Sequence, residues 1–410
     1  MNVEACIIGA GPAGLMAAIH CAAAGSQTVV VETNTNAGRK LLLTGGGRCN
    51  LTHQATPDEL VRACGKGGRF LSFAFHEFPP VRVRDFFRRR GLESVLDEAG
   101  CVFPVSQRAS DVRDTLIRQA QELSVHFCYD RHVSGIVKKG DVFTIRAAGN
   151  TISAKKVVLA TGGVSYPQTG STGDGYEFAQ HLGHTIIRPR AALVPLVTQE
   201  SWPSELAGTT IDNVRIHSAA AGRKHEATGP LLFTDDGIAG PAVLDMSRFL
   251  TDCLPAQNKP IQLSVDMIAG MSANLFESRL LEQISVNPRK TIANVLSAFF
   301  PKRVAAVMCQ QTDYDGALSA NQVSRDIRKE LIRFLKAVPL SVTGARPIEE
   351  ATVTRGGVST DEIDPKTMQS RICPGLFFAG EVIDVDGPCG GYNLQICWST
   401  GALAGRTLTS

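Results

Sequence analysis

The chain has 410 residues, with 42 Lys and Arg against 39 Asp and Glu, and is 43% hydrophobic and 20% charged. That length predicts two or three structural units, and a net charge of +3 is too small to argue for a nucleic-acid or anionic-membrane partner. The 11 cysteines are irregularly spaced without paired Cys-x-x-Cys sets, and neither a leader nor a bilayer-length apolar run is evident, so a cytoplasmic protein with reduced thiols is expected.

Residues 3–8 form a short apolar run that fits a buried parallel strand. Gly9-Ala10-Gly11-Pro12-Ala13-Gly14 follows, then an Ala-rich helical stretch to Ala24 with Gly25 as its stop. A second apolar run, Thr28 to Val31, ends in Glu32, 18 residues past Gly14. Gly9 permits a tight turn, Gly11 lets the backbone approach a pyrophosphate, and Gly14 lets the helix pack on the sheet. The helix start, with Pro12 and Ala13, offers free N–H groups and a positive dipole end to phosphates. Glu32 would accept hydrogen bonds from a ribose diol, and an acid there favours FAD or NAD over NADP.

Farther on, Arg82, Arg84, Arg88, Arg89 and Arg90, interleaved with Phe86 and Phe87, read as the solvated face of an amphipathic helix. Strands around 132–137, 142–147 and 151–159 suggest an antiparallel excursion. The last leads into Val157-Val158-Leu159-Ala160-Thr161-Gly162-Gly163. Gly170 to Gly175 is glycine-rich, but no strand leads directly into it, so it is not a second dinucleotide motif. Residues 190–265 alternate short apolar runs with turns at Ala221-Gly222, Asp235-Asp236-Gly237 and Ala239-Gly240-Pro241 and read as mostly β. Residues 272–336 read as helical. Leu376-Phe377-Phe378-Ala379 is a further strand running into Gly380-Glu381, followed by Gly390-Gly391-Tyr392-Asn393 and a helix from about Leu394 to Ala404.

The Ala160-Thr161-Gly162 turn and the Gly380-Glu381 segment resemble motifs of the two-dinucleotide-binding-domain flavoproteins. The resemblance implies FAD, held non-covalently, with an acid near its ribityl and pyrophosphate region and a last helix aimed at the flavin ring. No second nucleotide motif is present, so NAD(P)H would only visit as a transient electron donor.

A sharper resemblance rests on the run Gly38-Arg39-Lys40-Leu41-Leu42-Leu43-Thr44-Gly45-Gly46-Gly47-Arg48-Cys49-Asn50. It continues through Tyr166 to Tyr176, Thr352 to Val358 and Gly375 to Gly405, which includes Asp384 to Gln395. These segments resemble a bacterial flavoprotein family that includes aminoacetone-oxidase-type enzymes and 3-dehydro-bile-acid reductases. The resemblance implies that Ala13, Glu32, Arg39, Lys40, Val133, Glu381, Asn393 and Leu394 touch FAD. Gly46 and its neighbours would let the main chain approach the isoalloxazine. It also implies an α/β Rossmann-type FAD-binding domain over 1–189 and 344–410. An inserted β-rich cap over 190–271 and a helical unit over 272–343 would shape the substrate cavity.

Catalytic side chains are less legible. Cys49 and Cys389 would form a redox pair if both faced the flavin, but two small packing residues is the simpler reading. Arg48, Tyr166 and Tyr392 are candidates to polarise or protonate a substrate carbonyl. The nine histidines form no His-Glu-x-x-His pair, so no metal is expected, and no Gly-x-Ser-x-Gly elbow is present. Two functions follow from branches of the resemblance: an NAD(P)H-driven reductase of an activated C=C bond in a steroid-like enone, and an oxidase of a small amine or amino ketone. A third, of a different class, is a flavin-loaded binding or redox-sensing protein without turnover or an RNA-modifying flavoprotein, with the near-neutral charge counting against RNA.

Overall fold

The computed structural model describes residues 1–220, 222–254, 259–312 and 316–408. It divides into two compact units, Met1–Ala191 with Ile348–Ser410, and Ala192–Pro347.

The first unit is built on a seven-stranded sheet. His126–Cys128, Thr28–Val31, Asn2–Ile8 and Asn150–Leu159 lie side by side and parallel. The long strand Asn150–Leu159 shares its other edge. Its first half pairs antiparallel with Val142–Ala147, and its second half pairs parallel with Leu376–Phe378. Val133–Lys139 completes the antiparallel excursion. Thr28–Val31 is buried on both faces, which explains its unbroken apolar run.

Helix Pro12–Ala23 starts with Pro at its first turn and is buried from Ala13 through Ile19. Its small residues let the last helix, Tyr392–Thr407, cross it closely. A Cβ on Gly401 would lie 2.4 Å from Ala13 O, and one on Gly405 would lie 2.3 Å from Ala17 O. Only glycine fits at these two crossing points. The arginine-rich stretch forms the helix Pro80–Arg88, which buries Val83, Phe86 and Phe87 as its amphipathic pattern requires.

The second unit holds a closed six-stranded barrel. Its order is Leu196–Thr198, Gly237–Ala239, Arg223–Thr234, Thr210–Ala220, Ile261–Asp266, Val338–Ala345, and the last strand pairs back onto the first. Closure leaves no edge strand to protect. The turn expected at Ala221-Gly222 begins on a residue outside those described. The Ala239-Gly240-Pro241 turn opens a helix, Pro241–Cys253, inside a region read as mostly β. Residues 190–271 and 272–343, expected as separate units, bury their apolar faces in one core. Leu331, Ile332 and Leu335 of the helix Arg325–Lys336 join the barrel residues Ile216, Leu263 and Val342 there. Lys336 Nζ adds polar ties, donating to Asp266 (3.0 Å), Ile268 O (3.1 Å) and Met271 O (2.6 Å).

Candidate active site

All the residues singled out from the sequence lie in the first unit. The opening glycines divide by what surrounds them. A Cβ on Gly9 would lie 2.5 Å from Ala160 O, and one on Gly14 would lie 1.9 Å from Gly9 O. A Cβ on Gly11 would meet no atom within 4 Å. Gly9 and Gly14 are therefore demanded by the fold, whereas Gly11 faces free space at the mouth of a helix that has no side-chain cap.

Glu32 is buried beside this turn and fully engaged on its backbone side. Oε2 accepts from Ala10 N (2.7 Å), and Oε1 accepts from Asn34 N (2.9 Å) and Asn34 Nδ2 (2.6 Å). Asn34 Nδ2 also donates to Thr169 O (3.0 Å), and Asn34 Oδ1 accepts from Arg39 (2.6 Å). Asn34, not anticipated from the sequence, thus joins Glu32, Arg39 and the 166–170 turn. The chain after the strand at 126–128 runs alongside, since Arg131 N donates to Glu32 O (2.9 Å). Val133 begins the next strand, buried.

Four distant segments meet at Glu381. Its carboxylate pairs with Lys40 Nζ (2.8 Å) and accepts from Thr354 N (2.8 Å) and Ser165 Oγ (3.1 Å). Lys40 also donates to Ser165 Oγ (2.7 Å). Thr354 Oγ1 accepts from Val164 N (2.9 Å), so the turn after Ala160-Thr161-Gly162 is tied to the same point. Ser165 and Thr354 escaped the sequence reading, although both lie in or beside its resemblance segments. Two hydroxyls nearby, Thr161 Oγ1 and Tyr176 Oη, are buried with no hydrogen-bond partner. Burial, with Glu381 and Asp384 close by, pushes the Tyr176 phenol up.

The C-terminal loop is held from within. Gly380 N donates to Thr400 Oγ1 (2.9 Å), and a Cβ on Gly380 would lie 2.7 Å from that of Ala13. Asn393 spends its side chain on the loop, accepting from Gly387 N (2.8 Å) and donating to Gly387 O (2.9 Å). Any contact of Asn393 with a cofactor therefore falls to its backbone. Asn393 and Leu394 lie in the first turn of the last helix, where no helical carbonyl can reach their N–H groups. Gly391 caps that helix at φ 97°, and a Cβ there would collide with Thr52 O at 2.6 Å. Asp384 accepts from Gly356 N (3.0 Å), and burial pushes its carboxyl up. Arg355 pairs with Asp386 (3.0 Å).

The catalytic candidates sit in different surroundings. Arg48 is exposed, stacked 4.4 Å over the Phe103 ring and donating to Gly45 O. Tyr166 is half-buried and held in the left-handed region at φ 53°. Tyr392 stacks on His53, with ring centroids 4.7 Å apart. Cys49 lies in the core with its thiol pushed up to about 12 by burial, which makes it a packing residue and not a thiolate. Cys389 is half-buried. Gly46 is open, with no atom within 4 Å of a would-be Cβ, in a kinked segment where Gly45, Gly46 and Gly47 all take positive φ. Among the described residues no cluster of three metal-ligating side chains forms, and no helix is long and apolar enough to cross a membrane.

Residues 3–407 match the family described as HI0933-like protein Rossmann domain. The chain is 32% identical over 404 residues to a 3-dehydro-bile acid delta(4,6)-reductase of Clostridium scindens, covering 98% of this chain and 97% of that protein. It is 31% identical over 404 residues to a ribosomal RNA dihydrouridine synthase of Escherichia coli, covering 97% and 96%. Among solved structures, a 3-ketosteroid-delta4-(5alpha)-dehydrogenase from Rhodococcus jostii superposes with a TM-score of 0.53 at 15% identity, covering 100% of this chain and 97% of that one, a likeness of fold. The chain belongs to the HI0933-like Rossmann family and is an oxidoreductase built on a Rossmann-type FAD-binding domain.

Proposed function

We propose that the protein is an FAD-dependent reductase that saturates a C=C bond conjugated to a carbonyl, with NAD(P)H as electron donor. The observation that carries this reading is the pair of relatives at 31–32% identity over nearly the whole chain. A delta(4,6)-reductase of a 3-dehydro bile acid and a dihydrouridine synthase act on different molecules. They share one chemistry, reduction of an activated double bond.

The first unit suits the cofactor. The open space at Gly11 and the uncapped helix start behind it are what a pyrophosphate would fill. Glu32, steadied by Asn34, would accept from the adenosine ribose. Arg39 and Lys40 would lie along the phosphates or the flavin's carbonyl edge, and Glu381 would face the ribityl chain, its charge balanced by Lys40. Gly46 and Gly162 would admit the cofactor past main chain, and the N–H groups of Asn393 and Leu394 would meet negative charge on the flavin ring. When bound and reduced, the flavin would supply a hydride to the β-carbon of the substrate, and a proton delivered to the α-carbon would complete the product.

The test is anaerobic stopped-flow. Mixing the yellow holoprotein with NADH or NADPH should bleach the flavin, and a conjugated enone should restore the colour with one saturated product per flavin. A flavin that neither nucleotide reduces at a useful rate overturns the reductase reading.

A further inference from the structure

The short strand Thr52–His53 is fastened to the loop that leads into the last helix. Thr52 Oγ1 donates to Gln395 (2.5 Å), Trp398 Nε1 donates to Leu51 O (2.8 Å), and His53 Nδ1 lies 3.1 Å from Gly390 O. The glycine run reaches the same place, since a Cβ on Gly45 would lie 3.0 Å from Asn50 N. The run Gly45–Gly47 and the loop before Tyr392 are both segments expected beside the flavin ring. They meet at residues 50–53.

His53 has little freedom there. Its half-buried ring stacks on Tyr392, with centroids 4.7 Å and planes 23° apart. A carbonyl oxygen only accepts, so Gly390 O holds a hydrogen on Nδ1 whether the ring is charged or neutral. The proton that comes and goes is therefore the one on Nε2. Among the described residues no hydrogen bond occupies Nε2. Gly100, at φ 83°, leaves that edge of the ring uncovered, because a Cβ there would lie 2.8 Å from Nε2. The aromatic face of Tyr392 favours the charged ring. The neighbours suit proton release less well. Burial pushes up the thiol of Cys101, the cross-strand partner of His53, and Arg48, being a guanidinium, keeps its proton.

We infer that His53 is the proton donor of the reaction, acting from Nε2 on the α-carbon of the substrate. The inference rests on the reductase reading. A hydride, with its two electrons, passes from the reduced flavin to the β-carbon and turns the conjugated ketone into an enolate. The Nε2–H bond then breaks, its proton forms the new bond at the α-carbon, and the carbonyl is restored. The neutral ring left behind is the tautomer that Gly390 O already holds, and water returns the proton.

The test takes the two half-reactions apart in the holoprotein. The flavin is reduced anaerobically with NAD(P)H, then mixed with cyclohexenone or with a conjugated steroid ketone while its absorbance is followed. His53→Asn keeps a donor near the place of Nδ1 and deletes Nε2. It should retain bound flavin, melting temperature and the rate of bleaching, while reoxidation by the enone slows about 100-fold. His53→Ala should be slowed alike, and added imidazole should recover part of the rate, which a merely structural role would not allow. Reoxidation of His53→Asn at the parental rate overturns the inference and leaves the reductase reading standing. So does a slow His53→Ala that imidazole fails to rescue, since the ring then acts through the fold. A parent that bleaches but that neither enone reoxidises sinks the reductase reading, and the inference with it.

Discussion

The two units bury different things. The first hides a network of polar groups: Glu32, Ser165, His184, Thr354, Asp386, Gln395, Ser399 and Thr400 are all buried in it. The second buries fewer among the described residues, Thr198, Ser218, Ser247, Arg248 and Asp266, around a core of aliphatic and aromatic side chains. Buried polar groups cost stability unless each finds a partner. Their crowding in one unit marks where the sequence answers to a ligand. The second unit answers to packing.

Substitutions that damage one unit and spare the other would sharpen this contrast. The largest effect is expected at the opening glycines. Gly14→Ala drives a methyl into Gly9 O and should yield no folded flavoprotein. Gly11→Ala meets open space and should melt like the parent without its flavin. Visible absorbance after desalting, beside a thermal melt, reads both. Gly11→Ala protein that keeps its flavin would break the assignment of that space.

In the second unit, Phe276→Ala empties a fully buried site and should cost about 3–5 kcal/mol in denaturant unfolding. Flavin affinity measured under native conditions should not change. A parallel loss of flavin would tie the two units more closely than the contrast allows.

Acid should also tell the units apart. His20 is half-buried with its Nε2 inside and unpartnered, and burial, then Arg406 and Arg90, lowers it to about 4. Burial likewise lowers His184. A folded state that prefers the neutral ring is fully favoured above the unfolded value near 6.5, and loses that advantage as pH falls from there toward 4. His20 alone accounts for about 3 kcal/mol. Hydrogen exchange between these limits should rise in the first unit before the second, and His20→Leu should flatten the dependence.

The smallest effect is expected at the Lys40–Glu381 pair, whose members are about a fifth exposed. Lys40→Met should cost about 1–3 kcal/mol and weaken flavin binding. Adding Glu381→Gln should recover part of the loss, since the unpaired charge is gone. Strictly additive losses would mean the two do not act as a pair.

What the sequence made legible follows from distance along the chain. The turn from Gly9 to Gly14, its helix and Glu32 lie within one strand–helix–strand unit, so spacing alone placed them. The antiparallel excursion was legible because each of its strands adjoins the next. The cluster at Glu381 was not, since Lys40, Ser165 and Thr354 reach it from 341, 216 and 27 residues away. Nor was barrel closure, where the strand at 196–198 waits for the one at 338–345. Asn393 shows a subtler limit: a motif gives the position of an amide and not the direction it faces.

The close crossing of the first and last helices sets an order for synthesis on the ribosome. Pro12–Ala23 is made early, but the helix that covers it, with Gly401 and Gly405, is made last. Leu376–Phe378, which completes the sheet, also emerges late. The barrel unit is one uninterrupted stretch, and its strands can close while the earlier apolar helix still stands exposed. The unit that begins first in the chain is therefore the last to be finished, and a nascent chain stalled beyond residue 347 would carry a complete barrel on an open sheet.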